Sequence, residues 1–296
     1  MVRVIINADD FGRSKEINRA VARGYHDGVL TSASLMVAGV AAEEAVRMAR
    51  EMPGLAVGLH VVVVDGRAVL PAKQIGHLVN EAGWFPNTPV RSGLRYSIST
   101  RAKKELWEEL QAQFERFAAT GLPMAHVDGH QHMHVHPTIF GMVLELAERY
   151  GAKGIRLPRD EMREAWRGGC GTEKRSGSSR CSEPDVGLMS KVVRVGVLRL
   201  LAEWCAWRMQ GTKLAAAART YGVAQSGAME EGYVLGLLQQ LRPPTAEICF
   251  HPTVGERLEK LGANPGDLQT LLSPAVKRVI AERGLRLSTY LDLNEQ

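Results

Sequence analysis

The 296-residue chain is short of cysteine, of aromatic residues and of long apolar runs, and each shortage removes a class of protein. Its four cysteines, Cys170, Cys181, Cys205 and Cys249, show no CxxC spacing, which argues against both a zinc knuckle and a redox pair. Cys170 and Cys181 flank a Gly-, Ser- and Arg-rich loop, so a disulfide there is left open, with free thiols the default. Aromatic residues make up 6% and are not interleaved with the scattered basic ones, so the net charge of +5 implies no nucleic-acid partner. No uncharged apolar run reaches about 18 residues, and no segment is expected to span a bilayer. Met1-Val-Arg-Val-Ile-Ile-Asn7 passes straight into a strand pattern without the successive regions of a leader, so the expected location is cytoplasmic. No internal repeat with a fixed period is present.

Histidine, by contrast, is concentrated. Five of the nine histidines fall in the eleven residues His126-Val-Asp-Gly-His-Gln-His-Met-His-Val-His136. His126, Asp128, His130, His132, His134 and His136 all sit on even numbers, so a continuous strand would turn them to one face. A core cannot bury that many imidazoles and a carboxylate without partners. The strand should therefore end near Asp128 or His130 and release the later histidines into a loop. Neutral imidazole is the commonest metal ligand, so a divalent metal is the leading reading, against a solvated His-rich loop that merely caps the next helix.

The same design recurs along the chain. Val2 to Ile6 is a β-branched run that delivers Asn7-Ala-Asp-Asp-Phe-Gly12 at its carboxyl end. Neighbours in an extended segment point opposite ways, so Asp9 and Asp10 are expected to split their work, one on a metal and one toward substrate. Ser14 caps a helix that Gly28 closes. A strand over Val29 to Ala38 and a helix over Ala41 to Met52 follow, and then a buried strand, Leu55 to Val64, carries one histidine. A lone His60 there is an ordinary core residue by default, but carboxylates and histidines at the other strand ends turn it toward a ligand role. Asp65 to Ser99 has no clear period and reads as a loop or lid, with Trp84 and Phe85 more suited to packing than to stacking on a sugar. Helices are expected over Arg101 to Thr120, Thr138 to Tyr150, Glu230 to Leu241 and Pro274 to Arg283. Strand ends at Gly154 to Pro158 and Thr245 to Pro252 deliver Arg156 and His251, with further strands at Thr220 to Gln225 and Leu285 to Leu291. Residues 159 to 185 lose apolar periodicity and read as a surface flap. Val186 to Ala218 is apolar but punctuated by Lys191, Arg194, Arg199, Arg208 and Lys213, which suits a helix facing the core or one lying on a membrane surface.

Strands alternating with helices imply a parallel sheet in an α/β fold. Chemistry recurring at carboxyl ends of strands makes a distorted (β/α) barrel the natural closure. The expected organisation is one domain over residues 1–296 with an insertion at about 159–219.

Asn7-Ala-Asp-Asp-Phe-Gly12, Gly58-Leu-His60, Asp128-Gly-His-Gln-His-Met-His134, Arg156-Leu-Pro158 and Phe250-His-Pro252 together resemble the YdjC-like carbohydrate deacetylases, which include chitin-disaccharide deacetylases. Ala33-Ser-Leu-Met-Val and Gly66-Arg-Ala-Val-Leu-Pro71 resemble a hopanoid-biosynthesis-associated subgroup. The resemblance implies a polysaccharide-deacetylase-like barrel, one divalent ion (magnesium or zinc) and removal of acetyl from an N-acetylated amino sugar. It implies Asp10, His60 and His130 as metal ligands, Asp9 as general base, Arg156 as its charge partner and His251 as the acid for the departing amine. His132, His134 and Asp128 would shape the site around the ligands. The substrate implied is an N-acetylglucosaminyl lipid or a short chito-oligosaccharide, with peripheral membrane contact through about 186–218 and an oligomeric state left open, a homodimer included. Two other readings stay in play, a metal-dependent phosphoesterase and a non-catalytic metal-binding protein.

Overall fold

The computed structural model describes residues 1–159, 186–256 and 262–294, with the backbone alone for 186–192 and 294. Strand β1 (Arg3–Phe11) is the axis of the sheet: every residue after Arg3 is buried, as a strand covered on both faces requires. Helix α1 (Lys15–His26) follows, its first turn capped by the Ser14 hydroxyl, which accepts from the amide of Ile17. Strand β2 (Ser32–Leu35), helix α2 (Ala42–Glu51) and strand β3 (Ala56–Val61) complete the first parallel units. Helices α3 (Pro89–Ile98) and α4 (Thr100–Ala118) lead to strand β4 (Val127–Gly129). A 3₁₀ segment (His130–Val135) and helix α5 (Pro137–Arg149) come next. The remaining elements are α6 (Val186–Arg208), β5 (Arg219–Tyr221), α7 (Glu231–Gln240), β6 (Thr245–Phe250), α8 (Pro265–Leu272), α9 (Pro274–Glu282) and β7 (Arg286–Leu287).

The strands run parallel in the order β4-β3-β2-β1-β6-β5, with β7 also pairing β1. β6 pairs β1 from Arg3 to Ala8, so β7, at Arg3 and Val4, takes the β2 side of β1 ahead of the point where β2 begins. The two ends of the sheet meet through single-residue bridges, Val127 to Ile155 and Gly154 to Ala215, which make the fold a distorted α/β barrel. The strand expected at Gly154 to Pro158 is thus reduced to bridges. The last strand, expected over Leu285 to Leu291, is two residues long and pairs with the amino-terminal strand.

Two helices were not expected. In α3 the buried positions are Ser92, Gly93 and Tyr96, while Val90, Leu94 and Ile98 face outward, so its apolar stripe is inverted. Helix α8 starts at Asn264, whose side chain accepts from the Asp267 amide, with Pro265 in the first turn. Cys170, Cys181 and the flap at 160–185 lie outside the described residues. The stretch expected as an insertion contains helix α6, then returns to the sheet at Ala215. Among the described residues no helix is long and apolar enough to cross a membrane.

Candidate functional site

At the carboxyl end of β1 the backbone breaks its pleat. The pairing with β2 shifts between Ala8 and Phe11, and Asp10 takes a left-handed φ of 63°. Such bulges re-aim side chains beside functional sites. Here the bulge brings Asp9 and Asp10, which a flat strand would point apart, to the wall of one cavity. β3 ends nearby with His60 in register with Asp128 of β4. β4 stops at Gly129, and left-handed Gln131 and His132 (φ 52° and 58°) swing the later histidines away from the sheet, as their crowding demanded.

Asp10, His60 and His130 converge. Asp10 Oδ1 lies 3.1 Å from His130 Nδ1 and 3.4 Å from His60 Nε2. The three donor atoms are all within 4.8 Å of one another, and all three residues are buried. On the far side of the His60 ring, Nδ1 is 2.7 Å from Asp128 Oδ1, which leaves Nε2 facing Asp10. Burial alone would keep His60 neutral, but the carboxylates of Asp128, Asp10 and Asp9 win and raise its pKa to about 10. His130 is likewise raised against burial by Asp10 and Asp65. Burial opposes ionisation of Asp10, and the two imidazoles overcome it, holding the carboxyl well below its usual range.

A second set of donors, Asp9, His60 and Asp128, is just as close, but both its carboxylates are already paired with a buried guanidinium. Arg156, fully buried, donates from Nη1 to Asp9 Oδ2 (2.7 Å) and from Nη2 to Asp9 Oδ1 (2.8 Å). Its Nη1 also stands 2.7 Å from Asp128 Oδ2, and its Nε donates to Glu247 Oε1 at 2.9 Å. Burial pushes the Asp9 carboxyl up, and the charge and hydrogen bonds of Arg156 together with His251 outweigh it, so the carboxylate form prevails. Asn7 Nδ2 adds a bond to Asp9 Oδ1 at 2.8 Å. His251, delivered by β6, sets its Nε2 3.7 Å from Asp9 Oδ2, and its backbone amide donates to Asp267.

The remaining histidines hold structure. His134 donates from Nε2 to the Arg156 carbonyl at 2.9 Å, and burial depresses its pKa to about 4. His132 lines the cavity beside it, held well below its usual range by burial and by His134. His126 is buried against the Tyr290 ring, with centroids 4.8 Å apart. The Ser34 hydroxyl gives its proton to Asp128 Oδ2 (2.7 Å), so at that oxygen His126 Nε2, 3.0 Å away, is the donor. Ser34, Asn7, Glu247 and Tyr290 were not foreseen, although Glu247 left a trace: a lone carboxylate inside the buried run Thr245–Phe250 requires a partner.

The cluster floors a cavity of about 1290 Å³. Its walls are apolar, formed by Val90 and Leu94 of α3 and by Val193, Val197, Leu198 and Leu201 of α6. The donor set fits a divalent cation: one carboxylate oxygen and two imidazole nitrogens, from three buried residues, converge within 4.8 Å of one another.

Residues 3–282 match the family model described as YdjC-like protein. The chain belongs to the YdjC-like family. A carbohydrate deacetylase of Geobacillus stearothermophilus is 43% identical over 161 residues, 54% of this chain and 60% of that protein. A chitooligosaccharide deacetylase of Serratia marcescens is 39% identical over 159 residues, 53% of this chain and 60% of that protein. The matched stretch of this YdjC-like chain therefore spans about 60% of the length of these curated relatives. Among solved structures, a protein of Enterococcus faecalis V583, provisionally named for cellobiose-phosphate cleavage, superposes with a TM-score of 0.67 at 22% identity. That match covers 99% of this chain and 98% of the other, and it shows a shared fold.

Proposed function

We propose that this YdjC-like protein is a metal-dependent hydrolase that removes acetyl from an N-acetylated amino sugar. The observation that carries the reading is the pairing of an Asp10, His60 and His130 donor set with a separate, Arg156-clamped carboxylate, Asp9, in one cavity. Asp10, His60 and His130 would hold one divalent cation. Two imidazoles suit zinc and the carboxylate admits magnesium. Such an ion supplies Lewis-acid polarisation of a carbonyl and acidifies water.

The chain's own residues supply the rest. Asp9 Oδ1 already accepts from Asn7 and Arg156, whereas Oδ2 accepts from Arg156 alone among the hydrogen bonds described. A carboxylate has about four lone-pair sites, so Oδ2 keeps one for a proton from the attacking water. The water oxygen bonds to the amide carbon, Asp9 takes its proton, the C–N bond breaks, and His251 Nε2 protonates the departing nitrogen. Acetate and a free amine result. Asp128 fixes the His60 ring, and Arg156 holds the base in orientation.

A finer reading concerns the substrate. The apolar walls of α3 and α6 favour an amphiphile, an N-acetylglucosaminyl lipid such as a hopanoid, over a bare sugar. Val193 and Val90 are 62% and 87% exposed beside Arg194, Arg199, Arg91 and Arg95, which suits peripheral contact with an anionic membrane surface. An acetate-release assay across N-acetylglucosamine, chito-oligosaccharides and an N-acetylglucosaminyl hopanoid, with and without chelator, tests both levels. Chelator-sensitive release from any of them is expected, and greatest from the lipid. Sedimentation with anionic liposomes at low salt tests the contact, and absence of binding removes it.

The phosphoesterase alternative needs two or three ions and bridging carboxylates. Arg156 already neutralises Asp9 and Asp128, which leaves the second donor set unsuited to another cation. Metal stoichiometry near one per chain is expected.

A further inference from the structure

Each imidazole of the Asp10, His60 and His130 set has two ring nitrogens, and on His60 the one turned away from Asp10 is held by a carboxylate, Asp128. The equivalent nitrogen of His130 is Nε2, buried and without a hydrogen-bond partner. The nearest carboxylate to it is Asp65, whose Oδ2 stands 3.7 Å away, while Nδ1 of the same ring is 3.1 Å from Asp10. The backbone at Asp65 takes a left-handed φ of 47°. That conformation costs most residues free energy and is tolerated by Gly, Asn and Asp. Asp65 Oδ2 also accepts from Gln131 Nε2 at 3.3 Å, and Gln131 donates to Asn87 Oδ1 at 3.2 Å. Gln131 is itself left-handed, so two unusual backbone conformations, one after β3 and one after β4, meet across the rim of the site.

We propose that Asp65 is the positioning residue of His130: it receives the Nε2 proton, so that His130 binds the cation through Nδ1, as Asp128 does for His60 with the two nitrogens exchanged. The inference rests on the metal-binding reading above. Carboxylates behind ligating imidazoles fix tautomer and ring orientation and raise basicity, and their removal weakens metal binding about 10–100-fold. Asp65 is a quarter exposed, in contrast to the buried Asp128, so its replacement leaves the core intact.

The test uses two variants that keep the left-handed backbone. Asp65→Gly deletes the acceptor, and Asp65→Asn keeps a neutral acceptor of the same shape. Metal-free protein is titrated with Zn2+ by calorimetry and with Co2+ by visible absorption. Asp65→Gly is expected to raise the Zn2+ Kd about 10–100-fold and Asp65→Asn by less. The Co2+ band positions and intensities stay those of the wild type, and the unfolding midpoint of the metal-free protein does not move. An unchanged Kd in Asp65→Gly overturns the inference, as does a changed Co2+ spectrum in Asp65→Asn, which would make Asp65 a ligand. A wild type that takes up neither ion overturns the metal-binding reading itself, and the inference falls with it.

Discussion

At Asp10 a single left-handed dihedral sends two neighbouring carboxylates to different partners, Asp9 to Arg156 and Asp10 to the imidazoles. Asp9→Asn should therefore lower acetate release by about 10²–10⁴, the range of a lost general base, and leave the metal content unchanged. His60→Ala should lose the ion. Metal analysis alongside turnover separates the two, and full activity in the Asp9 variant would remove it from its role. Protons compete with the cation as well. Without a metal the His60 pKa lies at about 10, so at neutral pH that imidazole holds a proton that a bound ion would displace; His130 is shifted in the same direction by Asp10. Apparent affinity should fall as pH falls. Calorimetry in buffers of different ionisation enthalpy should record proton release on ion binding at pH 7.

His126 and His134 behave in the opposite sense. Burial lowers both to about 4, so their stabilising effect is present above the unfolded value of 6.5 and is lost as pH falls toward 4. By pH 5 the loss is roughly 2 kcal/mol for each. A His126→Gln variant cannot charge, so its urea midpoint should drop less between pH 7 and pH 5 than that of the wild type. Most of the residues that meet at the candidate site were legible in the sequence because charged residues interrupted apolar strands at Asp9, His60, Arg156 and His251. Asp65 was not, since an aspartate opening a loop is what any turn contains.

Among the elements, β3 shows how a motif serves packing and site together. A Cβ on Gly58 would lie 2.4 Å from the His126 ring, so the glycine before Leu59-His60 is what lets β3 and β4 close on each other. Gly58→Ala should cost about 1–3 kcal/mol as overpacking, read from denaturant unfolding. Helix α3 escaped sequence reading because its apolar residues point away from the core, and helical periodicity is a guide only where the stripe faces inward. That inversion carries a functional expectation. Val193→Asp with Val197→Asp on α6, facing α3 across the cavity, should reduce turnover of an N-acetylglucosaminyl amphiphile and spare that of a chito-oligosaccharide. Equal loss on both substrates would count against the apolar wall as a substrate surface.

Across the whole molecule the barrel order could be anticipated from strands alternating with helices, but its closure could not. Among the described residues seven strands pair along ladders, whereas Gly154, Ile155 and Ala215 join the ends through isolated contacts that leave no sequence period. The amide of Ile155 bonds to the Ala215 carbonyl at 2.9 Å, and the next residue is Arg156. The guanidinium that clamps Asp9 is thus mounted on the short joint where the two ends of the sheet meet. That joint is bonded on both sides, the Gly154 carbonyl and Arg156 amide to Val127 and the Lys153 carbonyl and Ile155 amide to Ala215, but it is shorter than the ladders around β1, and short pairings open at lower free energy. Dilute urea should accordingly abolish the proposed acetate release before circular dichroism registers unfolding, with substrate protecting against that early inactivation. The part of the protein most exposed to thermal wear would then be the seam that carries the partner of its proposed base.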